Sequence, residues 1–199
     1  MLGVLRARFA IFVICFGMPA YGAACPDVSD LDQGIRLQRD QDNFNTVFQQ
    51  NDGMLSEARS AQGRVIHARY GHPLMVSERW SDAGNDHMSL QYDASAAELD
   101  ALVPGRRIER NVTLTMSDGV EVNGRVTWVV ERFDHVTIGR CRYPVRQFHE
   151  RMELEGYGTI RMVKFYAPDV GLILRSITVD EGWKPLRDVQ FDQILRIGG

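Results

Sequence analysis

The sequence predicts a mainly β protein, built as a single curved antiparallel sheet or half-barrel with one short helix. Three observations support this fold class. Apolar and polar residues alternate with a period of two along most of the chain, as they do in strands with one buried face. Turn-forming Gly, Asn, Asp and Pro residues separate the alternating segments. The chain has 199 residues, of which 44% are hydrophobic and 25% charged, so it can bury a core of ordinary globular composition.

The first half of the chain contains several short alternating segments. They predict strands near residues 35–37, 44–48, 65–70, 74–80 and 88–92. Asn51-Asp52-Gly53 predicts a tight turn, because Asn and Gly tolerate positive φ. Pro73 interrupts any ladder between two of the strands, and Gly84-Asn85-Asp86 marks the next reversal.

The clearest element is a long hairpin that turns at Asp118-Gly119. One face of both strands is apolar and the other is polar, which is typical of an antiparallel sheet packed on one side. Gly124 leaves a gap in the apolar row and predicts a bulge or a bend. Arg110 breaks the same row on the first strand. The apolar face consists of Ile108, Val112, Leu114, Met116, Val120, Val122, Val126, Trp128 and Val130.

One helix is predicted over residues 93–103. Ser95 and Glu98 have the spacing of a capping box, and Pro104-Gly105 ends the helix. Alternation then resumes and predicts strands over residues 136–143, 160–166, 172–179 and 189–197. No repeat or low-complexity tract divides this pattern.

Residues 1–24 have the three parts of a secretory signal peptide. Two arginines give a positively charged start, residues 9–18 form an apolar run, and small residues follow. The apolar run is too short to cross a bilayer, which takes ~20 residues. We therefore expect a periplasmic protein with no transmembrane span in the mature chain and a single β domain over residues 25–199.

The cysteines leave two interpretations of Cys25. Cys15 is lost with the signal peptide, so Cys25 and Cys141 remain in an oxidising compartment and are expected to form a disulfide. Alternatively, Gly22-Ala23-Ala24-Cys25 looks like a lipoprotein cleavage box, which would make the protein an outer-membrane lipoprotein anchored at Cys25. Gly22 stands where such boxes usually carry a large aliphatic residue, and this favours the disulfide.

No motif for chemistry stands out, and we predict no catalytic residue, no metal and no cofactor. The histidine spacings do not match zinc motifs, and the acidic run of Glu150, Glu153 and Glu155 is interpreted as a solvated connection between strands. The formal net charge of -3 argues against a nucleic-acid partner. An unrecognised periplasmic hydrolase remains an alternative, because a catalytic triad can assemble from distant positions. The histidines are His67, His72, His87, His135 and His149.

Five aromatic residues lie within or beside predicted strands. They can simply fill a β core, but a strongly curved sheet could instead leave an open apolar face that holds an acyl chain or an apolar peptide. On the second interpretation they are candidate ligand-binding residues. The five are Trp80, Trp128, Tyr143, Phe165 and Tyr166.

The last third of the chain resembles a known group of proteins. Residues 165–174 (FYAPDVGLIL) resemble a Tyr-Ala-Pro-Gly-Val-Gly-Leu-Val signature of uncharacterised Gram-negative envelope proteins with a LolA-like or half-barrel β architecture. Residues 139–145 are similar to their cysteine-bearing strand. Asp169 stands where those proteins often have Gly. The resemblance implies a fold and an envelope location, and a function only by analogy.

These observations together predict a non-enzymatic exported envelope protein. Its expected partner is an apolar ligand, a lipid or an acyl chain, or another envelope protein. The alternative is a structural or assembly component anchored to lipid through Cys25.

Overall fold

Thirteen strands form one antiparallel sheet in the computed structural model, which describes residues 24–61, 63–84 and 86–198. The same residues contain one α-helix, α1 (Ala96–Asp100), and two 3-10 helices at Val28–Asp32 and Asp40–Asp42. The strands are β1 (Ile35–Arg39), β2 (Phe44–Asn51), β3 (Met54–Ala61), β4 (Arg64–His72), β5 (Met75–Ser81), β6 (Met88–Tyr92), β7 (Arg107–Met116), β8 (Glu121–Ile138), β9 (Cys141–Leu154), β10 (Gly158–Ala167), β11 (Leu172–Val179), β12 (Pro185–Gln190) and β13 (Gln193–Arg196). The predicted fold class is confirmed. Residues 1–23 of the predicted signal peptide lie outside the described residues.

The sheet is a meander that its last strand brings back to the beginning. From β1 to β12 each strand pairs with the next one in sequence, whereas β13 pairs with β1. Only Phe191 and Asp192 separate β12 at one edge from β13 at the other, and three residue steps span at most about 11 Å. The backbone N–H of Asp192 donates to the carbonyl of Gln38 at 2.8 Å. The sheet is therefore strongly curled, although it is not closed.

One hydrophobic core cluster joins the N-terminal strands to the part of the β8–β9 hairpin that is next to its turn. Ile35 and Leu37 of β1 are fully buried in it together with Ile138. Leu31, from the first 3-10 helix, packs into the same cluster, and Val28 N–H donates to the carbonyl of Asp169 at 2.8 Å. The segment before β1 is thus part of the packed structure.

The second core cluster is formed where α1 covers the middle of the sheet. The helix begins at Ser95, whose side chain accepts from the backbone N–H of Glu98, and the predicted capping box is present. Leu99 is fully buried against a cluster that includes Trp128. The guanidinium of Arg110 pairs with the Glu98 carboxylate, which explains the charged residue in the apolar row of β7.

A bulge divides the long β8–β9 hairpin into two halves. Val130 pairs with Phe148, but Arg132 pairs with Gln147, so β8 has one extra residue at this point. The buried residues of β9 are odd-numbered up to Gln147 and even-numbered from Phe148 onward. Since a one-residue shift moves side chains to the opposite face, the bulge lets one hairpin serve both core clusters.

The acidic run is not the solvated connection that the sequence suggested. Glu150 and Glu153 belong to β9, and Glu150 is only 4% exposed. The prediction placed this run between strands, whereas β9 continues to Leu154, and Glu150 lies opposite Trp128 of the second core cluster. Glu155 follows the end of the strand and is exposed.

Gly124 allows a close approach of two strands. A Cβ atom at this position would lie 2.2 Å from the backbone oxygen of Glu153 and 2.9 Å from a methyl group of Leu154. The expected bulge is not at Gly124, where β8 pairs with both neighbours in regular register. The gap in the apolar row is filled by the neighbouring strand.

The predicted disulfide between Cys25 and Cys141 is confirmed. It joins residues 116 positions apart in sequence, with the Cα atoms 5.6 Å apart. Cys141 is buried in the first core cluster. Beside it, the Tyr143 hydroxyl donates to the carbonyl of Pro26 at 3.0 Å. The bond fixes the N-terminal segment to the beginning of β9.

Candidate functional site

A cavity of about 400 Å³ lies inside the curled sheet, between strands β2–β5 and strands β10–β12. This volume falls in the ~300–1,000 Å³ range of small-molecule sites. Much of its lining is apolar and comes from both groups of strands. Representative apolar lining residues are Phe44, Phe48, Leu55, Ile66, Leu172 and Val189.

The cavity also has an excess of basic side chains. Three of them have acidic partners. Arg59 pairs with Glu57 at 2.7 Å, Lys164 with Glu150 at 2.7 Å, and Arg175 with Asp188 at 2.5 Å. Within the described part of the chain, the other two basic lining residues are in no salt bridge, and both are exposed. These two are Arg79 of β5 and Arg187 of β12.

A buried carboxylate anchors the wall formed by β2–β4. The Glu57 side chain is 2% exposed and accepts hydrogen bonds from Thr46 Oγ1 at 2.7 Å, from Arg59 Nε at 2.9 Å and from the Tyr70 hydroxyl. Burial, with the negative charge of Glu57 next, raises the pKa of Tyr70 well above its usual value. The phenol therefore stays protonated and donates. These three donors satisfy the carboxylate without a ligand.

A second buried carboxylate connects the cavity to the second core cluster. Glu150 Oε2 accepts from the indole Nε1 of Trp128 at 2.8 Å and from Lys164 Nζ at 2.7 Å. Because Lys164 lines the cavity and Trp128 is fully buried, Glu150 joins the cavity wall to the core. A buried ion pair needs such additional donors to offset its desolvation cost.

The structure separates the five aromatic residues proposed from sequence. Trp128 and Tyr166 are buried in the second core cluster, and Tyr143 and Phe165 in the first. Trp80 stacks on His67 with ring centroids 5.3 Å apart. Within the described part of the chain, none of the five lines the cavity. Their role in ligand binding stays a prediction.

One pattern in the sequence, on β3, indicates the cavity, and it was not among the predictions. Glu57 and Arg59 alternate in phase with the buried Leu55 on β3. Since charged residues are almost never fully buried unless they are paired, two charges on the buried face of a strand indicate an internal polar site.

A buried histidine lies outside the cavity, where α1 meets the β4–β5 turn. His72 Nε2 is 3.5 Å from Asp100 Oδ1, and its Nδ1 accepts from the backbone N–H of Leu74 at 3.1 Å. The Tyr166 hydroxyl also donates to Asp100, at 3.4 Å. Burial lowers the pKa of His72, with the charge of Asp100 opposing this shift. The neutral imidazole helps to hold the end of α1 against the sheet.

Two further classes of site can be addressed in the described residues. There, His, Cys, Asp and Glu side chains do not come together in groups of three or more that could hold a metal ion. The helices in the same part of the chain are too short or too polar to cross a membrane.

Comparison with known proteins shows a similarity of fold. The chain is similar to the hypothetical lipoprotein YmcC from Escherichia coli (K12), with a TM-score of 0.53 over 85% of this chain and 89% of that chain. The two sequences are 10% identical, so the similarity concerns the fold alone. No protein-family model matches the chain, and no curated protein matches it. The LolA-like resemblance stays a prediction.

Proposed function

We propose that this protein is an exported, non-enzymatic protein of the Gram-negative envelope that binds an acyl chain inside its curled sheet. The observation that carries this proposal is the cavity, which has apolar side chains on both walls and the volume of a small-molecule site. A large apolar pocket with a few polar groups is the usual form of such a site.

Three features support an envelope location. Residues 1–24 have the pattern of a signal peptide, and disulfides such as Cys25–Cys141 persist in oxidising compartments like the periplasm. The third is the similarity of fold to a hypothetical lipoprotein.

The proposal is tested with protein isolated without detergent from the periplasm of a Gram-negative host. We expect native mass spectrometry to show a fraction of the molecules with a bound lipid or fatty acid, which solvent extraction then identifies. Ala68→Leu adds three carbons to the lining of the cavity. The control Ala58→Leu makes the same change on β3, one residue after the Glu57 that pairs with Ala68, at a position that does not line the cavity. We expect Ala68→Leu to lose the bound molecule and Ala58→Leu to keep it.

The same two variants separate a void from a packed interior. Extra carbons in a filled core cost roughly 1–3 kcal/mol, so a strongly destabilised Ala68→Leu variant would indicate that no usable space exists. If Ala68→Leu is stable and wild-type protein never carries or takes up an acyl chain, the proposal is wrong.

A lipid-anchored structural component is the second candidate, and the similarity of fold to a hypothetical lipoprotein favours it. Acylation of Cys25 would occupy the sulfur that the disulfide uses. The intact mass of protein isolated from the envelope distinguishes the disulfide from the lipid anchor. A chain two hydrogens lighter than the reduced form supports the disulfide, and a diacylglycerol adduct supports the anchor.

A further inference from the structure

We infer that the cavity binds a single-chain anionic amphiphile, whose negatively charged head group is held by Arg79 and Arg187. This inference rests on the proposed function and specifies its ligand. It assigns the apolar lining to the acyl chain and the two arginines to the head group.

The first argument is the local balance of charge. The whole chain has more acidic than basic residues, 26 against 23, yet five basic residues and one acidic residue line the cavity. Arg59, Lys164 and Arg175 are neutralised by carboxylates. Within the described residues Arg79 and Arg187 form no salt bridge. The charge of Arg79 acts on the Asp86 carboxylate without a direct contact, so both guanidinium groups keep donors for an anion.

The second argument is the difference in exposure between the two unpaired arginines and the apolar lining. Arg79 and Arg187 are exposed, whereas Phe44, Phe48 and Leu172 are buried. A ligand with its head group at the arginines can therefore remain partly hydrated while its chain leaves water. Guanidinium groups suit this position because they bind carboxylates and phosphates through paired hydrogen bonds.

The buried carboxylate of Glu57 determines at which end of the cavity the head group lies. Its hydrogen bonds from Thr46, Arg59 and Tyr70 leave no role for a ligand donor. A second anion brought next to it would be repelled. The head group is therefore excluded from the wall near Glu57 and stays beside Arg79 and Arg187.

The size of the cavity favours one acyl chain over two. A volume of about 400 Å³ is in the lower part of the ~300–1,000 Å³ range for ligand sites. A fatty acid or an alkyl phosphate matches both this volume and the charge.

The experiment compares ligands that share a chain and differ in the head group. Laurate and dodecyl phosphate are titrated into delipidated mature protein below their critical micelle concentrations, and dodecanol below its solubility limit. Inorganic phosphate is a fourth arm without a chain. We expect both anionic amphiphiles to bind more tightly than dodecanol by on the order of tenfold or more, as charge-assisted hydrogen bonds allow. Inorganic phosphate alone should neither bind measurably nor displace laurate.

The variants then locate the head group. Arg79→Gln combined with Arg187→Gln should abolish the preference for the anionic ligands and leave dodecanol binding unchanged. Arg36→Gln is the matched control, because Arg36 is an exposed strand arginine that does not line the cavity. It should bind laurate, dodecyl phosphate and dodecanol with the affinities of wild type.

The outcomes separate this inference from the proposed function. If laurate and dodecanol bind equally, or if Arg36→Gln reduces the anion preference as much as the cavity variants do, the head-group assignment is overturned and acyl-chain binding stands. If phosphate binds as tightly as dodecyl phosphate, the site is a plain anion site and the inference fails. If no chain-bearing ligand binds, both the inference and the proposed function fail.

Discussion

Removing the Cys25–Cys141 disulfide should cost this protein a large part of its stability. The bond joins residues 116 positions apart, and the chain-entropy model assigns about 5 kcal/mol at 25 °C to a loop of this length. The full effect is expected only if the N-terminal segment stays folded until the sheet unfolds. Its contacts favour this, because Leu31 is buried in the first core cluster and Tyr143 holds the carbonyl of Pro26.

The assay is equilibrium urea unfolding of the Cys25→Ala/Cys141→Ala variant, compared with wild type in the presence and absence of reductant. Measured losses are often smaller than the model value, so we expect a decrease of roughly 2–5 kcal/mol in the free energy of unfolding. The m-value, which is the slope of the free energy of unfolding against urea concentration, should increase, because the uncrosslinked denatured chain exposes more surface. A loss below about 1 kcal/mol in both the variant and reduced wild type would refute the reasoning, since typical disulfides contribute more.

Three further predictions concern the core. Gly124→Ala should lower the free energy of unfolding by roughly 1–3 kcal/mol or more, because its Cβ collides with a backbone oxygen of the neighbouring strand. The control Gly71→Ala has open space around it and should unfold at nearly the wild-type urea concentration. Equal effects of the two substitutions would contradict the argument. Burial lowers the pKa of His72. Below about pH 6.5 the unfolded chain therefore binds more protons than the folded protein, and the free energy of unfolding falls as the pH falls. The urea midpoints at about pH 7.5 and about pH 5.5 should differ less in His72→Gln than in wild type. Trp128→Phe removes a donor from buried Glu150 and should cost roughly 1–3 kcal/mol by thermal or urea unfolding, whereas an unchanged midpoint would show that the hydrogen bond adds nothing.

Local patterns in the sequence were enough to predict several elements. The hairpin at Asp118-Gly119 and the capping box of Ser95 with Glu98 depend on residues close together in the chain, and the structure confirms both. Asp52 and Gly53 have positive φ in the predicted turn. The helix is shorter than the predicted residues 93–103. It begins after the N-cap Ser95, and it ends after Asp100, where Leu102 N–H donates to the carbonyl of Leu99, three residues back.

Features that depend on distant contacts could not be predicted in the same way. The bulge after Val130 has no signature in residue type, and the burial of Glu150 depends on its pairing with Trp128 of the neighbouring strand. Gly124 was expected to mark a bulge or a bend; the register is regular there, and the space beside it is taken by β9. The cavity is assembled from strands at both ends of the sheet, so its lining could not be predicted from any one segment, although the alternation of Glu57 and Arg59 with Leu55 indicates a polar site on β3.

The return of β13 to β1 has a consequence for biogenesis. In a chain that emerges in sequence order, β1 is made before β2–β12, and residues 193–196, which pair with it, are made after them. Until they arrive, the growing sheet exposes an unpaired edge, and such edges promote aggregation. The edge of β1 is therefore covered only when β13 has been made, and the finished sheet ends instead on the four-residue strand β13.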